Sequence, residues 1–293
     1  PPSTNASITG AVRQVIDASQ APAEGAFRVA LLQPAVRKQK SAPEYANAFR
    51  HIRALNDSAM SLDPDLVVWH ETAIVPPVEW HLRHRPDRDV YEFVAGVKQY
   101  LEHAPVPVLT GNAWASPDDP LRATEYNSAV LYRNGTPVGR YDKVKLVPFS
   151  EYFPYGKLLP RINDWIIKTY GYFWTPGPGA ITIPLDGARI AAPVCFEDSF
   201  SRHFAAFDKP DFFVVLTNDS WAQSAGMQRQ HLAMSVLRAA ETGSVVLRAA
   251  DTGSTAAIAP NGAVVAEIPP FDRDFLLVDV TLGAVKTTVF EAW

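Results

Sequence analysis

The feature that most constrains the fold is an alternation of short apolar runs with longer amphipathic segments along the first part of the chain. The runs FRVALLQ (27–33), DLVVWHE (65–71) and VPVLTGNAW (106–114) have the length and β-branched content of buried strands. Between them, residues 43–60 and 87–104 carry apolar side chains at helical spacing. This order favours an α/β fold in which helices cover a buried sheet.

The second half of the chain adds antiparallel strands and one strong helix. Asn-Gly pairs at 134–135 and 261–262 predict hairpin turns, the first of type I′. Apolar runs at 189–195 and 211–219 predict two more buried strands, and residues 227–243 predict an amphipathic helix. With no internal repeat and no linker, we expect a mixed α/β sandwich in one domain.

Two segments fall outside this regular pattern. Residues 1–26 are rich in Ala, Ser, Pro and Gly and are interpreted as a leader with a short helix around AVRQVIDAS, ahead of a domain over 27–293. Residues 148–180 hold five prolines interleaved with Tyr and Trp, which predicts a long irregular excursion over the surface. Excursions of that length usually serve a functional site.

Composition excludes several classes of function. The net charge is -4 without any run of Lys or Arg, so we expect no nucleic-acid partner. A single cysteine excludes an intramolecular disulfide and a cysteine-cluster zinc site. His81 and His84 lack the spacing and acidic partners of a metal site, and no glycine cluster forms a phosphate loop. We therefore predict no metal and no cofactor.

Three reactive residue types come at or just after the ends of apolar strands, where α/β proteins gather their sites. They are Glu71, Lys143 and the only cysteine, Cys195. A thiol needs a base or a cation to become a nucleophile, and an acyl-transfer oxyanion needs a donor. Taken singly, each also fits a structural role: an acid at a helix start, a surface cation and a core thiol.

Longer segments around these residues carry a resemblance. WHETA (69–73), GRYDKVKLVPFSEYFP (139–154) and PVCFED (193–198) resemble the signature regions of the carbon-nitrogen hydrolases, the nitrilase superfamily. That resemblance implies a four-layer αββα sandwich with a Glu-Lys-Cys triad. It also implies acyl chemistry that passes through a covalent thioester.

The resemblance also implies a role for each matching residue. Glu71 matches the general base, Cys195 the nucleophile, and Lys143 the group that stabilises the tetrahedral oxyanion. The backbone N–H of Phe196 matches a second oxyanion donor. Glu151 matches an additional carboxylate that positions the lysine or assists proton transfer.

Within the superfamily, the chain most resembles the catalytic domain of bacterial apolipoprotein N-acyltransferases, over roughly nine-tenths of its length. The added segments are TNDSWAQSAGMQRQHLAMSVLRAAETG (217–243) and RAADTGSTAAIAPNG (248–262). This resemblance implies transfer of a fatty acyl group from a phospholipid to the N-terminal amine of a lipoprotein. It implies a catalytic domain on the periplasmic face of a bacterial inner membrane.

Contact with a membrane is then expected through segments outside this chain or through the aromatic residues of the excursion at 148–180. The alternative role of these aromatic residues is to seal a small substrate pocket. The alternative function is that of a soluble amidase or nitrilase, which would act on a small amide or nitrile. Such a protein would be cytoplasmic and could form a homo-oligomer. A third reading is a catalytically inactive binding domain of the same fold.

Three positions qualify the match. Lys145 does not align with the catalytic lysine. Asp251 stands where the acyltransferases usually carry Asn, which we expect to alter the acyl or acceptor pocket. The DTGS sequence at 251–254 copies an aspartic-protease signature, but such enzymes need two facing aspartates, so we set this reading aside.

Overall fold

The computed structural model describes residues 12–16, 26–36, 41–170, 174–222, 224–283, 288 and 290. Its first sheet has seven strands. In spatial order they are β1 (Val12–Ile16), β13 (Asp274–Thr281), β2 (Ala26–Gln33), β3 (Leu66–Val68), β4 (Val108–Ala115), β5 (Glu125–Arg133) and β6 (Thr136–Asp142).

The second sheet has six strands. In spatial order they are β12 (Val264–Ile268), β11 (Thr255–Ile258), β10 (Val245–Ala250), β9 (Phe212–Thr217), β8 (Ala188–Ala191) and β7 (Thr182–Leu185). The helices are α1 (Ala42–Met60), α2 (Val78–His84), α3 (Arg88–Glu102), α4 (Pro160–Tyr170), α5 (Ser201–Phe204) and α6 (Ala225–Thr242), with a 3₁₀ helix at Cys195–Ser199.

The two sheets face each other and helices cover their outer faces. Alternate residues of β2 point in opposite directions, so Leu31 packs toward the second sheet while Leu32 packs under α1 and α3. The rings of Phe27 and Phe212 meet across the sandwich at 5.8 Å, and Phe213 stacks on Phe204 of α5. These layers confirm the expected αββα sandwich.

Parallel pairing brings the carboxyl ends of the central strands to one edge. Strands β2, β3 and β4 run parallel in the first sheet, as do β8, β9 and β10 in the second. Side chains that follow these strands therefore meet at the same end of the sandwich. Among the described residues, none of the helices has the length and apolar character needed to cross a membrane.

Most predicted elements are confirmed. Residues 43–60, 87–104 and 227–243 lie in α1, α3 and α6. Asn134 and Gly135 have φ of 50° and 71°, as a type I′ turn requires.

Two predictions of local structure were wrong. Residues 12–16 were expected to belong to a short leader helix, but Val12–Ile16 form a strand that pairs in parallel with β13. The edge of β13 offers the backbone of this segment a row of hydrogen bonds, and its β-branched residues favour a strand. Ala26, the last residue assigned to the leader, is the first residue of β2, and residues 1–11 and 17–25 lie outside the described residues. The excursion at 148–180 contains α4, which begins at Pro160, a favourable first helical residue.

Gly111 of β4 packs directly under the turn that carries Glu71. A Cβ at this position would lie 2.4 Å from the Thr72 nitrogen and 2.5 Å from the Glu71 Cα. We expect Gly111→Ala to destabilise the fold by about 3 kcal/mol and to displace Glu71.

Gly96, in the exposed middle of α3, is the matched control. No atom lies within 4 Å of a Cβ there, so Gly96→Ala should stabilise the protein by about 0.5–1 kcal/mol. Urea unfolding of both variants measures the difference. Equal effects of the two substitutions would contradict the packing described around Gly111.

Candidate active site

Lys143 is the centre of the site and has no solvent exposure. It directly follows β6, and its Nζ lies 2.7 Å from Glu151 Oε1 and 3.4 Å from Glu71 Oε1. Burial alone lowers the pKa of Lys143, but the negative charges of Glu71, a Cys195 thiolate and Glu151 outweigh it and raise that pKa. Lys143 is therefore a permanent cation facing two carboxyl groups.

Glu71 is held by donors on both of its oxygens. Asn127 Nδ2 donates to Oε1 at 2.8 Å, and the Asn218 backbone N–H donates to Oε2 at 2.9 Å. Asn127 belongs to the first sheet and Asn218 follows β9 of the second, so the carboxylate bridges the two sheets. Each Glu71 oxygen keeps a further lone pair beside the hydrogen bond that it accepts, so the carboxylate can still take up a proton.

Glu151 is fixed from the loop after Lys143. Its Oε2 accepts a hydrogen bond from the Val147 backbone N–H at 2.9 Å while its Oε1 faces the ammonium. Burial raises the pKa of Glu151, and the Lys143 charge opposes that rise. The predicted supporting carboxylate thus lies against the predicted catalytic lysine.

Cys195 sits at a backbone turn rather than in a strand. Its φ of 51° lies in the left-handed region, which costs a residue with a Cβ about 1–3 kcal/mol. Val194, just before it, bridges to Leu216 of β9, and the 3₁₀ helix starts at Cys195 itself. The turn separates the thiol from the strand and places the Phe196 N–H in the first turn of a helix, where amides lack intrahelical acceptors.

The Cys195 thiol is protonated in the resting site. Burial raises its pKa well above the usual value and Glu71 raises it further, whereas Lys143 and a hydrogen bond with Thr217 lower it. A neutral thiol reacts slowly, so a base must accept its proton as an electrophile arrives. The charges of two carboxylates, Glu71 and Asp219, raise the pKa of the thiol, and Glu71 is the candidate for that step that the sequence predicts.

Glu197 fastens the cysteine turn to the lysine loop. Its carboxylate is fully buried and accepts hydrogen bonds from the backbone N–H groups of Val144, Lys145 and Val194. The Tyr141 hydroxyl adds a fourth donor at 2.8 Å. The Glu197 side chain therefore connects the turn at Cys195 to the loop that follows Lys143.

A second buried network lies beside the thiol. Arg248 Nη1 donates to Asp198 at 2.8 Å and its Nη2 donates to Asp219 at 3.0 Å. His231 closes the ring, with Nδ1 2.7 Å from Asp219 and Nε2 3.2 Å from Asp198. Two acids and two bases balance one another, which allows Arg248, Asp198 and Asp219 to be fully buried, while His231 keeps 15% of its side chain exposed.

Cys195, Asp219 and His231 offer sulfur, oxygen and nitrogen atoms within 4.8 Å of one another, the kind of group that can hold a metal ion. Burial and Arg248 lower the His231 pKa, but hydrogen bonds to Asp198 and Asp219 outweigh them and raise it to about 9. A protonated imidazole next to a guanidinium repels a metal cation. The donors present therefore favour a hydrogen-bonded network, and the absence of a metal stays a prediction.

Comparison with known proteins assigns the chain to a family. The family model of the carbon-nitrogen hydrolases matches residues 28–289. The chain belongs to the carbon-nitrogen hydrolase family. The region matched contains all five residues predicted for the site.

Two curated relatives of this member of the family are named apolipoprotein N-acyltransferase 1. Apolipoprotein N-acyltransferase 1 of Treponema pallidum is 34% identical over 281 residues, which cover 91% of this chain and 51% of the relative. The protein of the same name from Treponema denticola is 36% identical, with 87% and 51% covered. The chain thus spans about half the length of these relatives.

Solved structures share the fold at low sequence identity. An amidase of the nitrilase superfamily from Nesterenkonia AN1 superposes with a TM-score of 0.62 at 16% identity, covering 90% of this chain and 94% of the amidase. A carbon-nitrogen hydrolase from Helicobacter pylori G27 gives 0.62 at 13% identity, with 87% and 90% covered. This likeness supports the sandwich architecture.

The structure brings together Glu71, Lys143, Glu151 and Cys195, and it places Phe196 next to the thiol in the chain. Sequence reasoning missed the roles of Asn127, of Glu197 and of the Arg248 network. One signal was available: a lone arginine inside the apolar run SVVLRAA (244–250) indicates a buried charge that needs partners.

Lys143 and Lys145 form a natural control pair. Lys145 is exposed and its ammonium lies 5.9 Å from the Phe200 ring, whereas Lys143 is buried between carboxyl groups. We expect Lys143→Met to lower the rate of Cys195 acylation at least about 10³-fold, because an oxyanion donor is lost.

Lys145→Met should change that rate less than about threefold, since its charge is solvated. Single-turnover acylation followed by intact mass measures both. Comparable losses in the two variants would overturn the assignment of Lys143.

Proposed function

We propose that this chain transfers a fatty acyl group from a phospholipid, through a thioester on Cys195, to the N-terminal amine of a lipoprotein. The observation that carries the proposal is the name shared by relatives that match about nine-tenths of the chain, apolipoprotein N-acyltransferase. The buried groups near Cys195 support the proposal, because acyl transfer requires a base and an oxyanion donor, roles that Glu71 and Lys143 can fill.

In the first half-reaction Glu71 removes the Cys195 thiol proton and the sulfur attacks the acyl ester carbonyl. The resulting oxyanion is stabilised by the Lys143 ammonium and the Phe196 N–H. When the carbon–oxygen bond breaks, Glu71 returns its proton to the departing alkoxide. The lysophospholipid leaves as an alcohol and the acyl group stays on sulfur.

In the second half-reaction the uncharged amine of the acceptor attacks the thioester carbonyl. Lys143 and the Phe196 N–H stabilise the second oxyanion as they did the first. Glu71 takes a proton from the attacking nitrogen and the carbon–sulfur bond breaks. The products are an amide and the Cys195 thiolate, which recovers the proton from Glu71.

An exposed apolar surface close to the site supports a lipid donor. The loop after Lys143 and α4 expose large apolar side chains: Phe149, Tyr155, Leu158, Leu159, Ile162, Trp165 and Ile167. A patch of this kind is typical of a surface that meets a membrane. We propose that it faces lipid, with the domain on the periplasmic side of a bacterial inner membrane.

The decisive measurement is intact-mass spectrometry of the protein after incubation with phospholipid in mixed micelles. We expect an added mass of one fatty acyl group in the wild type and none in Cys195→Ala. A peptide with a free N-terminal amine should then remove the acyl group and gain it, whereas the same peptide with an acetylated N-terminus should not.

Two outcomes would overturn the acyltransferase proposal. One is an acyl-enzyme that decays equally with either peptide, because water would then be the acceptor. The other is ammonia release from simple amides by protein that gains no acyl mass from phospholipid. Either result would favour the amidase alternative.

Leu158 and Leu121 test the membrane surface. Leu158 is 76% exposed beside α4, and Leu121 is 85% exposed in the connection between β4 and β5. We expect Leu158→Ser to weaken co-sedimentation with phosphatidylglycerol-containing vesicles about tenfold, because an inserted side chain is lost. Leu121→Ser should have little effect, and equal losses would place the contact elsewhere.

A further inference from the structure

Two buried titratable groups outside the triad face each other behind Glu71. His70 and Asp251 are each 1% exposed, and His70 Nε2 lies 4.0 Å from Asp251 Oδ1. Among the residues that the structure describes, none is a hydrogen-bond partner of His70 Nε2, although the atom is fully buried. A buried nitrogen without a partner is costly, so this arrangement calls for an explanation.

His70 connects this pair to the catalytic base. Its Nδ1 lies 2.8 Å from the Glu71 carbonyl oxygen, which can only accept, so Nδ1 carries the proton and donates. Nε2 is then left with a lone pair, and Asp251 Oδ1 lies 4.0 Å from this nitrogen. This hydrogen bond fixes the orientation of the His70 ring relative to the Glu71 main chain.

Asp251 connects the same pair to the junction of the two sheets. Its Oδ1 accepts from the Val36 N–H at 2.8 Å, and its backbone carbonyl accepts from the Ala35 N–H at 3.0 Å. Its backbone N–H donates to the Thr217 carbonyl at the end of β9. Asp251 is therefore held by elements of both sheets, and it is not a free wall of a substrate pocket.

The charges around the pair favour retention of a proton by Asp251. Burial raises the pKa of Asp251 to about 7, the Val36 N–H and Arg273 oppose the rise, and Asp219 adds to it. Burial lowers the pKa of His70 to about 4, against the opposing effect of Glu71. Below pH 7 an acid that keeps its proton thus faces an imidazole nitrogen with a free lone pair.

We propose that Asp251 and His70 share one proton and form a positioning pair that holds the Glu71 main chain. The gap of 4.0 Å is about 1 Å longer than a hydrogen bond, so formation of the bond requires the Asp251 carboxyl group to move about 1 Å closer to Nε2. Asp251 donates the proton to Nε2, and the opposite nitrogen donates to the Glu71 carbonyl. The catalytic consequence rests on the role proposed above for Glu71.

The sign of the pH dependence follows from the raised pKa of Asp251. The proton is present below pH 7 and leaves to solvent as the pH rises through about 7. Above that pH a carboxylate faces the lone pair of Nε2, and the bond that orients His70 is lost. Positioning of Glu71 therefore weakens on the alkaline side.

The direct test is ¹⁵N NMR of the 293-residue chain with selectively labelled histidine, recorded from pH 5.5 to 8.5. His70, assigned by its loss in His70→Asn, should show a protonated Nδ1 and an Nε2 resonance that titrates near pH 7. Asp251→Asn removes the titrating carboxyl group and keeps the shape of the side chain with a donor that does not titrate, so this titration should vanish. An Nε2 resonance that is constant in the wild type, or titrates alike in the variant, overturns the shared proton.

The positioning role is tested by conservative rescue. We expect Asp251→Ala to lower kcat for acyl transfer about tenfold and Asp251→Asn to restore it, with a weaker alkaline decline than in the wild type. Equal loss in both variants, or a decline unchanged by Asn, overturns the role. The NMR result does not depend on activity, so an inactive wild type with the expected titration would contradict the proposed function alone.

Discussion

A lysine ammonium without solvent contact is the constraint on which the rest of the site depends. Lys143 must be compensated inside the protein, because an unpaired charge in such a place costs about 3–5 kcal/mol. Glu151 and Glu71 supply that compensation at 2.7 and 3.4 Å. The same pairing keeps the lysine charged and the Glu71 carboxylate close to the thiol, so stability and chemistry depend on one set of contacts.

Strained turns present the reactive groups, and buried polar contacts hold those turns in place. Cys195 and Thr72 both have φ of 51°, each directly at or beside a proposed catalytic residue. Glu197 holds the first turn through backbone amides, and Gly111 leaves room for the second. A site held this way needs little reorganisation when charge develops on the substrate.

Sequence reasoning located the reactive residues and most of the elements that carry them. Apolar runs ahead of Glu71 and Cys195 were recognisable as strands because burial on both faces of a sheet selects a nearly continuous run of apolar residues. It failed at Val12–Ile16 and at α4. Both are short segments whose state depends on what they pack against, a strand edge in one case and the loop beside the site in the other.

By itself, the sequence determined which side chains are reactive and that they follow strands, since both properties depend on residue type and local pattern. Only the tertiary structure decided that Glu71 is held between Asn127 and Asn218, that Arg248 balances Asp198 and Asp219, and that His70 faces Asp251. The physical reason is that these contacts join residues distant in the chain, and their geometry exists only after the two sheets pack together.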